Sequence, residues 1–422
     1  MTYAISGECC SDASCVAVCP MNSIHPSPGE PGFGTGASLF IDPRTCIDCG
    51  ACAGICPVNA AQPADQAAPE DVERNAAYFA DREPLEATDL DTWEAPSYQV
   101  WGGGPRRVLV VGAGPAGMYA TRELLLRTTA EVTLVDRLEQ VGGLVRYGVA
   151  PDHPGTKQII ETFERITRHQ RVRWLPGGDA RELRGADGQL PDGFDAVIHA
   201  VGARGSRRLV IDGEDAACSA EEFVAWYNGR PGATLPVELA GPRAVIVGNG
   251  NVALDVARIL LSDEKRLRAM DVSPGVRSVL AASGIKEVVL LGRRGPGEAA
   301  YTEPALRELF AAAGDRVELR YHARPAAWTA DGLKLESGET IAAGNLFTAI
   351  GFEGTPIDGL PFDRDRGIVP NVRGAVVGRP GHYVAGWIKR GARGGIGVNK
   401  ACAQETVMTL VSSSRVPASP GS

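Results

Sequence analysis

Four stretches of the chain carry the unbroken apolar runs that fill strands buried on both faces: Arg107–Val111, Glu131–Val135, Ala244–Val247 and Glu287–Leu291. The first and third each lead straight into a glycine turn and a segment of helical periodicity, running to about Arg127 in one case and over Leu254 to Leu261 in the other. Strand, helix, strand in that order predicts a parallel βαβ unit, here twice over. The N-terminal part reads differently. Only Tyr3-Ala4-Ile5 and Ser38-Leu39-Phe40-Ile41 look like strands there, set among Gly- and Pro-rich stretches at Ser27–Gly36, Gln62–Pro69 and Gly102–Pro105. No apolar run approaches the roughly 20 residues of a membrane span, and 412–422 reads as a disordered tail. With 422 residues, two or three domains are expected, at roughly 150 residues each.

Charge and cysteine sharpen the division. Up to Gly104 there are 15 acidic and 3 basic residues, a balance of -12, which leaves 36 acids and 40 bases, or +4, for the rest. An acidic module thus precedes a mildly basic one. The net charge of -8 argues against a nucleic-acid partner. The start, Met1-Thr2-Tyr3-Ala4, has no basic and apolar leader, so a cytoplasmic protein without membrane attachment is expected. Of the ten cysteines, all but Cys218 and Cys402 fall between Cys9 and Cys56. In a reducing compartment such density implies metal ligation rather than disulfides.

Cys46-x2-Cys49-x2-Cys52-x3-Cys56-Pro57 matches the bacterial iron–sulfur run, in which three thiolates wrap one cubane and the fourth reaches a second. The earlier run, Cys9-x2-Asp12-x2-Cys15-x3-Cys19-Pro20, keeps the register with a carboxylate in the second place. Crossing over the fourth ligands assigns Cys19, Cys46, Cys49 and Cys52 to one 4Fe-4S cluster and leaves Cys9, Cys15 and Cys56 for the other. That second cluster is expected to be 3Fe-4S, or 4Fe-4S with Asp12 or solvent on the fourth iron, since a carboxylate is a hard ligand for a soft site. Structural zinc is the alternative, disfavoured because zinc pairs are normally separated by a longer loop. Cys10 reads as a spare thiol out of register, although either it or Cys9 can serve as the ligand. From Met1 to Gln62 the chain resembles two-cluster ferredoxins.

The first glycine turn, Gly112-Ala113-Gly114-Pro115-Ala116-Gly117, follows its strand at once. Asp136 ends the next strand, at the separation from Gly117 where an acid bonds a ribose hydroxyl. The glycines let backbone amides approach a pyrophosphate at a helix N-terminus. The second turn, Gly248-Asn249-Gly250-Asn251-Val252-Ala253, is G-x-G-x-x-A. Its next strand ends in Arg293-Arg294 rather than an acid, which favours the 2′-phosphate of NADPH.

The segment Gly142-Gly143-Leu144-Val145-Arg146-Tyr147-Gly148-Val149-Ala150-Pro151-Asp152-His153-Pro154 closely resembles the flavin-contacting loop of adrenodoxin reductase and its bacterial relatives, flavoproteins that pass electrons from NADPH to ferredoxins. The resemblance spans about Arg106 to Met408. It extends to Tyr383-Val384-Ala385-Gly386-Trp387 and to Gly394-Gly395-Ile396-Gly397-Val398-Asn399-Lys400. It implies FAD in the first fingerprint, contacted by Gly143, Leu144, Val145, Gly148 and Val149, with Gly386, Trp387, Gly394, Gly395 and Ile396 along the isoalloxazine. Family members pair the histidine at His153 with a glutamate from the segment near Tyr301; the aligned position here is Ala305, so Glu303 is the candidate substitute.

The fold class expected is an α/β two-domain FAD/NAD(P)-binding reductase of nested Rossmann-like units, preceded by a small α+β bacterial-type ferredoxin domain. Its boundaries are 1–62 for the ferredoxin, 63–104 for an acidic linker, 105–202 with 346–411 for the FAD domain and 203–345 for the NADP domain. The function implied is NADPH:ferredoxin oxidoreduction with a built-in ferredoxin. NADPH binding between the two α/β domains gives hydride to FAD, and single electrons go on through the clusters to an external acceptor such as a haem-thiolate monooxygenase. The charge contrast between modules predicts that salt slows internal transfer. Rival readings are ferredoxin-dependent NADP+ reduction and a redox-sensing subunit without turnover. No Cys-x-x-Cys or Cys-x4-Cys lies beyond residue 104, which excludes a disulfide reductase.

Overall fold

The structure is a computed structural model that describes residues 2–9, 11–28, 30–33, 38–56, 58–83, 106–183 and 189–413. Residues 84–104 of the expected linker, together with Cys10, Pro57 and residues 414–422, therefore lie outside the described residues. The chain forms two compact units. The first comprises 1–146, 155–204 and 354–422; the second comprises 147–154 and 205–353.

In the first unit, seven strands form one sheet in the order Asn371–Val372, Ala375–Val376, His382–Val384, Ala196–His199, Arg107–Val111, Glu131–Asp136, Val172–Pro176. The strands from His382–Val384 to Val172–Pro176 are parallel, as their continuous apolar character requires. Arg107–Val111 has Glu131–Asp136 on one side and Ala196–His199 on the other. The order of strands reverses there, and ligands of such sheets bind outside the carboxyl ends at that point. Helix Pro115–Arg127 starts from it with Pro115 in the first turn, where a missing N–H is harmless. The long helix Ile396–Ser413 packs along Pro115–Arg127 and buries Cys402, Ala403, Val407 and Leu410.

The cysteine module belongs to this same unit. Tyr3–Ile5 pairs antiparallel with Ala61–Pro63, and Ile24–His25 with Phe40–Ile41. Residues 69–79, expected to be linker, form a helix that completes the module. Pro69 and the acids Glu70 and Asp71 begin it, in keeping with the electropositive N-terminal end of a helix. Buried Asn75 clamps it down: its Oδ1 accepts from Ile5 N at 3.1 Å and Ile41 N at 2.7 Å, and its Nδ2 donates to Ile5 O at 2.8 Å.

The second unit repeats the plan with five parallel strands, ordered Cys218–Ser219, Asn345–Thr348, Arg243–Val247, Glu287–Leu291, Val317–Arg320. Its glycine turn again lies where the strand order reverses. The inserted segment runs 205–353 where 203–345 is the expectation from sequence, because Gly205–Ser206 and Phe352–Glu353 pair antiparallel and close its base. Among the described residues no helix is long and apolar enough to cross a membrane.

Candidate functional site

In the first turn, the glycines are required by contact. Gly112 has φ 104, and a Cβ there would stand 2.5 Å from the Ala200 carbonyl oxygen. One on Gly117 would overlap the carbonyl of Gly112, so this glycine seats the helix against its strand. Gly114 caps helix Pro115–Arg127, and a Cβ on Gly143 would lie 2.9 Å from the Gly114 Cα. A Cβ on Gly386 would likewise lie only 2.6 Å from the Ala116 Cβ. Trp387 follows, its Nε1 donating to the Gly394 carbonyl at 3.1 Å, and Gly395 and Ile396 continue into the C-terminal helix. Residues far apart in sequence thus meet around one helix N-terminus. Asp136 accepts from Ala113 N at 2.7 Å and Leu138 N at 2.9 Å, tying the turn to the second strand while each oxygen keeps a further lone pair. This side-chain-free cradle is one a dinucleotide pyrophosphate fits. Leu144 and Val145 begin the short helix Leu144–Gly148, with Val145 buried and Leu144 exposed. Gly148 and Val149 fall in the part of the chain that belongs to the second unit.

In the second unit, Gly248 has φ 131, and a Cβ there would collide with the Ala349 carbonyl. Gly250 caps the helix Asn251–Leu260, which continues through Val252, and Asn251 accepts from Thr302 N at 2.8 Å. Asn249 packs against Gly292, at 2.6 Å from where its Cβ would be, which brings the strand end and its arginines to the turn. Arg293 and Arg294 are both exposed, Arg294 lying 3.7 Å from Glu298. Two solvent-facing guanidiniums beside a glycine turn suit a phosphate.

The same unit gathers a charged cluster. Arg258 is fully buried and reaches Asp152 at 2.5 and 3.0 Å, Asp255 at 2.8 Å and His153 Nε2 at 2.7 Å. Because a guanidinium can only donate, His153 Nε2 accepts, and the neutral ring carries its proton on Nδ1. Burial works against the Asp152 carboxylate, yet the Arg258 guanidinium holds it below the usual carboxylate range. The acid that meets His153 is Glu308, at 3.5 Å. Glu303 instead pairs with Arg307 at 3.7 Å and is exposed, so the substitution expected from sequence falls to a residue one and a half turns further along the helix. Pro304 sits in the first turn of helix Glu303–Ala313, which rotates Glu303 away and brings Glu308 round beside buried Leu309.

The cysteines fall into two groups. Cys19, Cys46, Cys49 and Cys52 line one cavity with Tyr3, Ile24 and Ile41. Burial, and after it the neighbouring Cys46, Cys19 and Cys49, pushes the Cys52 thiol up to about 11. Cys9, Asp12, Cys15 and Cys56 form the other group: burial first, then Cys9, Asp12 and Cys56, drives the Cys15 thiol well up. Thiols that raise one another's pKa are stable as thiolates only around a cationic core, which an iron–sulfur cluster supplies. Backbone amides already point at the sulfurs, Ser23 N at Cys19, Ala60 N at Cys56 and Ser11 N at Cys9, at 3.2, 3.2 and 3.4 Å. Asp12 is buried and held by Ser14, whose N and Oγ donate to it at 3.1 and 2.5 Å. The remaining two cysteines among the described residues, Cys218 and Cys402, are buried in different units, and burial raises the Cys218 thiol to about 12.

Sequence reading missed Arg258, Asp152, Glu308 and Asn75. Glu308 carried a signal: Ala305, Leu306 and Leu309 mark the apolar face of its helix, and Glu308 borders that face.

Two dinucleotide turns on parallel sheets, joined to two groups of cysteines in iron–sulfur register, define a flavin-type pyridine-nucleotide reductase that carries its own ferredoxin. Residues 106–405 match the family model for pyridine nucleotide-disulphide oxidoreductase and residues 8–60 that for the 4Fe-4S dicluster domain. The chain is 40% identical to the "Probable ferredoxin/ferredoxin--NADP reductase" of Mycobacterium tuberculosis, over 97% of this chain and 84% of that protein. It is 36% identical to the mitochondrial "NADPH:adrenodoxin oxidoreductase" of Arabidopsis thaliana, over 72% and 82%. The solved structure of Mycobacterium tuberculosis FprA in complex with NADPH superposes with a TM-score of 0.66 at 34% identity, over 73% and 84% of the two chains. The chain belongs to the adrenodoxin-reductase-like ferredoxin–NADP reductases, in the form fused to an N-terminal two-cluster ferredoxin.

Proposed function

We propose that the chain takes hydride from NADPH and delivers single electrons through its own ferredoxin module to an external redox protein, a haem-thiolate monooxygenase being the candidate acceptor. One observation carries this reading: the two cysteine groups lie in the same compact unit as the first glycine turn, so the ferredoxin is built in rather than appended. When bound, FAD supplies the conversion of a two-electron hydride into single electrons, which the clusters accept one at a time.

The residues divide the remaining work. Gly112, Gly114 and Gly117 open the Pro115–Arg127 helix N-terminus to the FAD pyrophosphate, with Asp136 toward the ribose. The N-terminus of helix Ile396–Ser413 would offer its positive end to the negative charge of a reduced flavin bound beside Gly395 and Ile396. Gly248 and Gly250 do for NADPH what Gly112 and Gly114 do for FAD, and Arg293 and Arg294 grip its 2′-phosphate. Arg258 fixes the His153 ring, with Glu308 beside it. Glu308 also speaks for turnover over a purely sensing role, since it provides the acid that Ala305 removes. Cys19, Cys46, Cys49 and Cys52 hold the 4Fe-4S cluster, and Cys9, Cys15 and Cys56 a 3Fe-4S cluster that Asp12 borders.

Anaerobic mixing of holoprotein with NADPH and, separately, NADH tests this. The expected result is flavin bleaching and cluster reduction at low NADPH, with Arg293→Ala raising the KM for NADPH about tenfold, or about 1.4 kcal/mol, and leaving that for NADH unchanged. Clusters that respond to dithionite but never to NADPH would overturn it.

A further inference from the structure

We propose that the two clusters work in a fixed order: the Cys9, Asp12, Cys15 and Cys56 group receives each electron from the flavin, the four-cysteine group receives it second, and Lys400 tunes the first acceptor. This rests on the reading above, that flavin occupies the first glycine turn.

The contacts of helix Ile396–Ser413 set this order. Its N-terminal turn, Gly394 to Ile396, is joined to Trp387 by a hydrogen bond, and Gly386 lies on Ala116, so this turn faces the mouth of the first nucleotide site. The next residue, Gly397, is pressed against the Ser11 backbone so closely that a Cβ would fall inside the Ser11 carbonyl and 2.9 Å from Asp12 N. One turn from Ile396, about 6 Å along the helix, Lys400 Nζ donates to Ser14 Oγ at 2.9 Å and stands 3.7 Å from Asp12 Oδ2. A separate contact fixes the start of the same loop: Glu8 Oε2 accepts from Thr156 N and Thr156 Oγ1, both at 3.0 Å. The loop that carries Cys9, Asp12 and Cys15 is therefore seated on the helix that begins at the flavin mouth. Around the other group, Cys49 and Ile47 are exposed, Ile47 by 56%. One cluster looks inward and the other outward.

Lys400 adds a sign. Reduction adds one negative charge to the first cluster, and an ammonium in partly buried surroundings stabilises that charge. Each passage would move one electron from reduced flavin to the first cluster, the single hydride-derived proton leaving to water once both electrons have gone, and the external acceptor would re-oxidise the second cluster between passages. The electron then passes to the second cluster, returning the first to its oxidised form. Two passages use up the two electrons of one NADPH, and no bond to iron or sulfur forms or breaks.

Holoprotein mixed anaerobically with NADPH and freeze-quenched at increasing times gives the order by EPR. The expected course is flavin bleaching, then change in the first cluster's spectrum, then appearance of the reduced four-cysteine cluster. Equilibrium redox titration of Lys400→Met, read by EPR without turnover, should move the first cluster to more negative potential and leave the second in place, the two being told apart by their three-iron and four-iron spectra. Glu8→Gln, outside the nucleotide and cluster ligands, should slow cluster reduction at least threefold with flavin bleaching unchanged. The four-cysteine cluster reduced first, or a Lys400→Met shift in that cluster or in neither, would overturn the proposal. If NADPH fails to bleach the flavin at all, the underlying reading falls and this order with it.

Discussion

The two cysteine runs share one spacing and live in different surroundings. The second, Cys46 to Cys56, holds three of the four thiols of a cavity whose rim is open at Cys49 and Ile47. The first, Cys9 to Cys19, has Asp12 in place of a thiol and lies under the helix of Gly397 and Lys400. Spacing decides that a cluster can be held. The neighbours beyond the ligands decide what the cluster is for, since hydrogen bonds, charge and solvent access set its potential and its reach.

The comparison breaks most sharply at Cys49. Cys49→Ala should abolish the four-cysteine cluster, seen as loss of its EPR signal and about half the iron, and lower transfer to an added acceptor protein about 100-fold while NADPH still bleaches the flavin. Replacing the odd ligand erases the difference instead. Asp12→Cys supplies a fourth thiolate, so iron analysis should gain one iron per chain and the three-iron signal of the isolated protein should vanish. Asn75→Ala strikes both runs alike, because Asn75 bonds the strands that precede each of them. Two buried amides lose their acceptor, and the module should be destabilised by about 1–3 kcal/mol, measured as earlier release of both clusters on heating. The smallest effect belongs to salt. The charge contrast read from sequence anticipates a slower internal transfer at high ionic strength, but the Lys400–Asp12 pair is only 20% and 9% exposed. Screening reaches such a pair poorly, so cluster reduction should change less than twofold between low and high salt.

What the sequence discloses is local. The glycine turns are legible because a close backbone approach admits no side chain, and the same constraint shows at Gly112 and Gly248 in the fold. The cysteine register is legible because three ligand positions of each cluster come from one short run, with the fourth cysteine of each run crossing to the other. Long-range choices are not. The helix of 69–79 is short, and its apolar face shows mainly in Asn75 and Phe79 turning inward, a pattern that acidic composition hides. Glu308 displaces Glu303 because Pro304 fixes where the helix starts, and only the helix's packing then decides which carboxylate faces His153. The pairing of Lys400 with Asp12 joins nearly opposite ends of the chain and leaves no periodic trace.

The seat of the first cysteine run is made of a helix that lies far downstream of it in the chain. Residues 1–146 await 354–422 to complete their unit, whereas 205–353 is continuous chain and can finish beforehand. At about 5–20 residues per second, the thiols of the first run leave the ribosome on the order of tens of seconds before Gly397 and Lys400 exist to cover them. Cluster insertion therefore has a natural schedule: the run with the exposed rim can be loaded on the growing chain, and the run with the carboxylate gains its seat only once the helix of Gly397 and Lys400 has emerged.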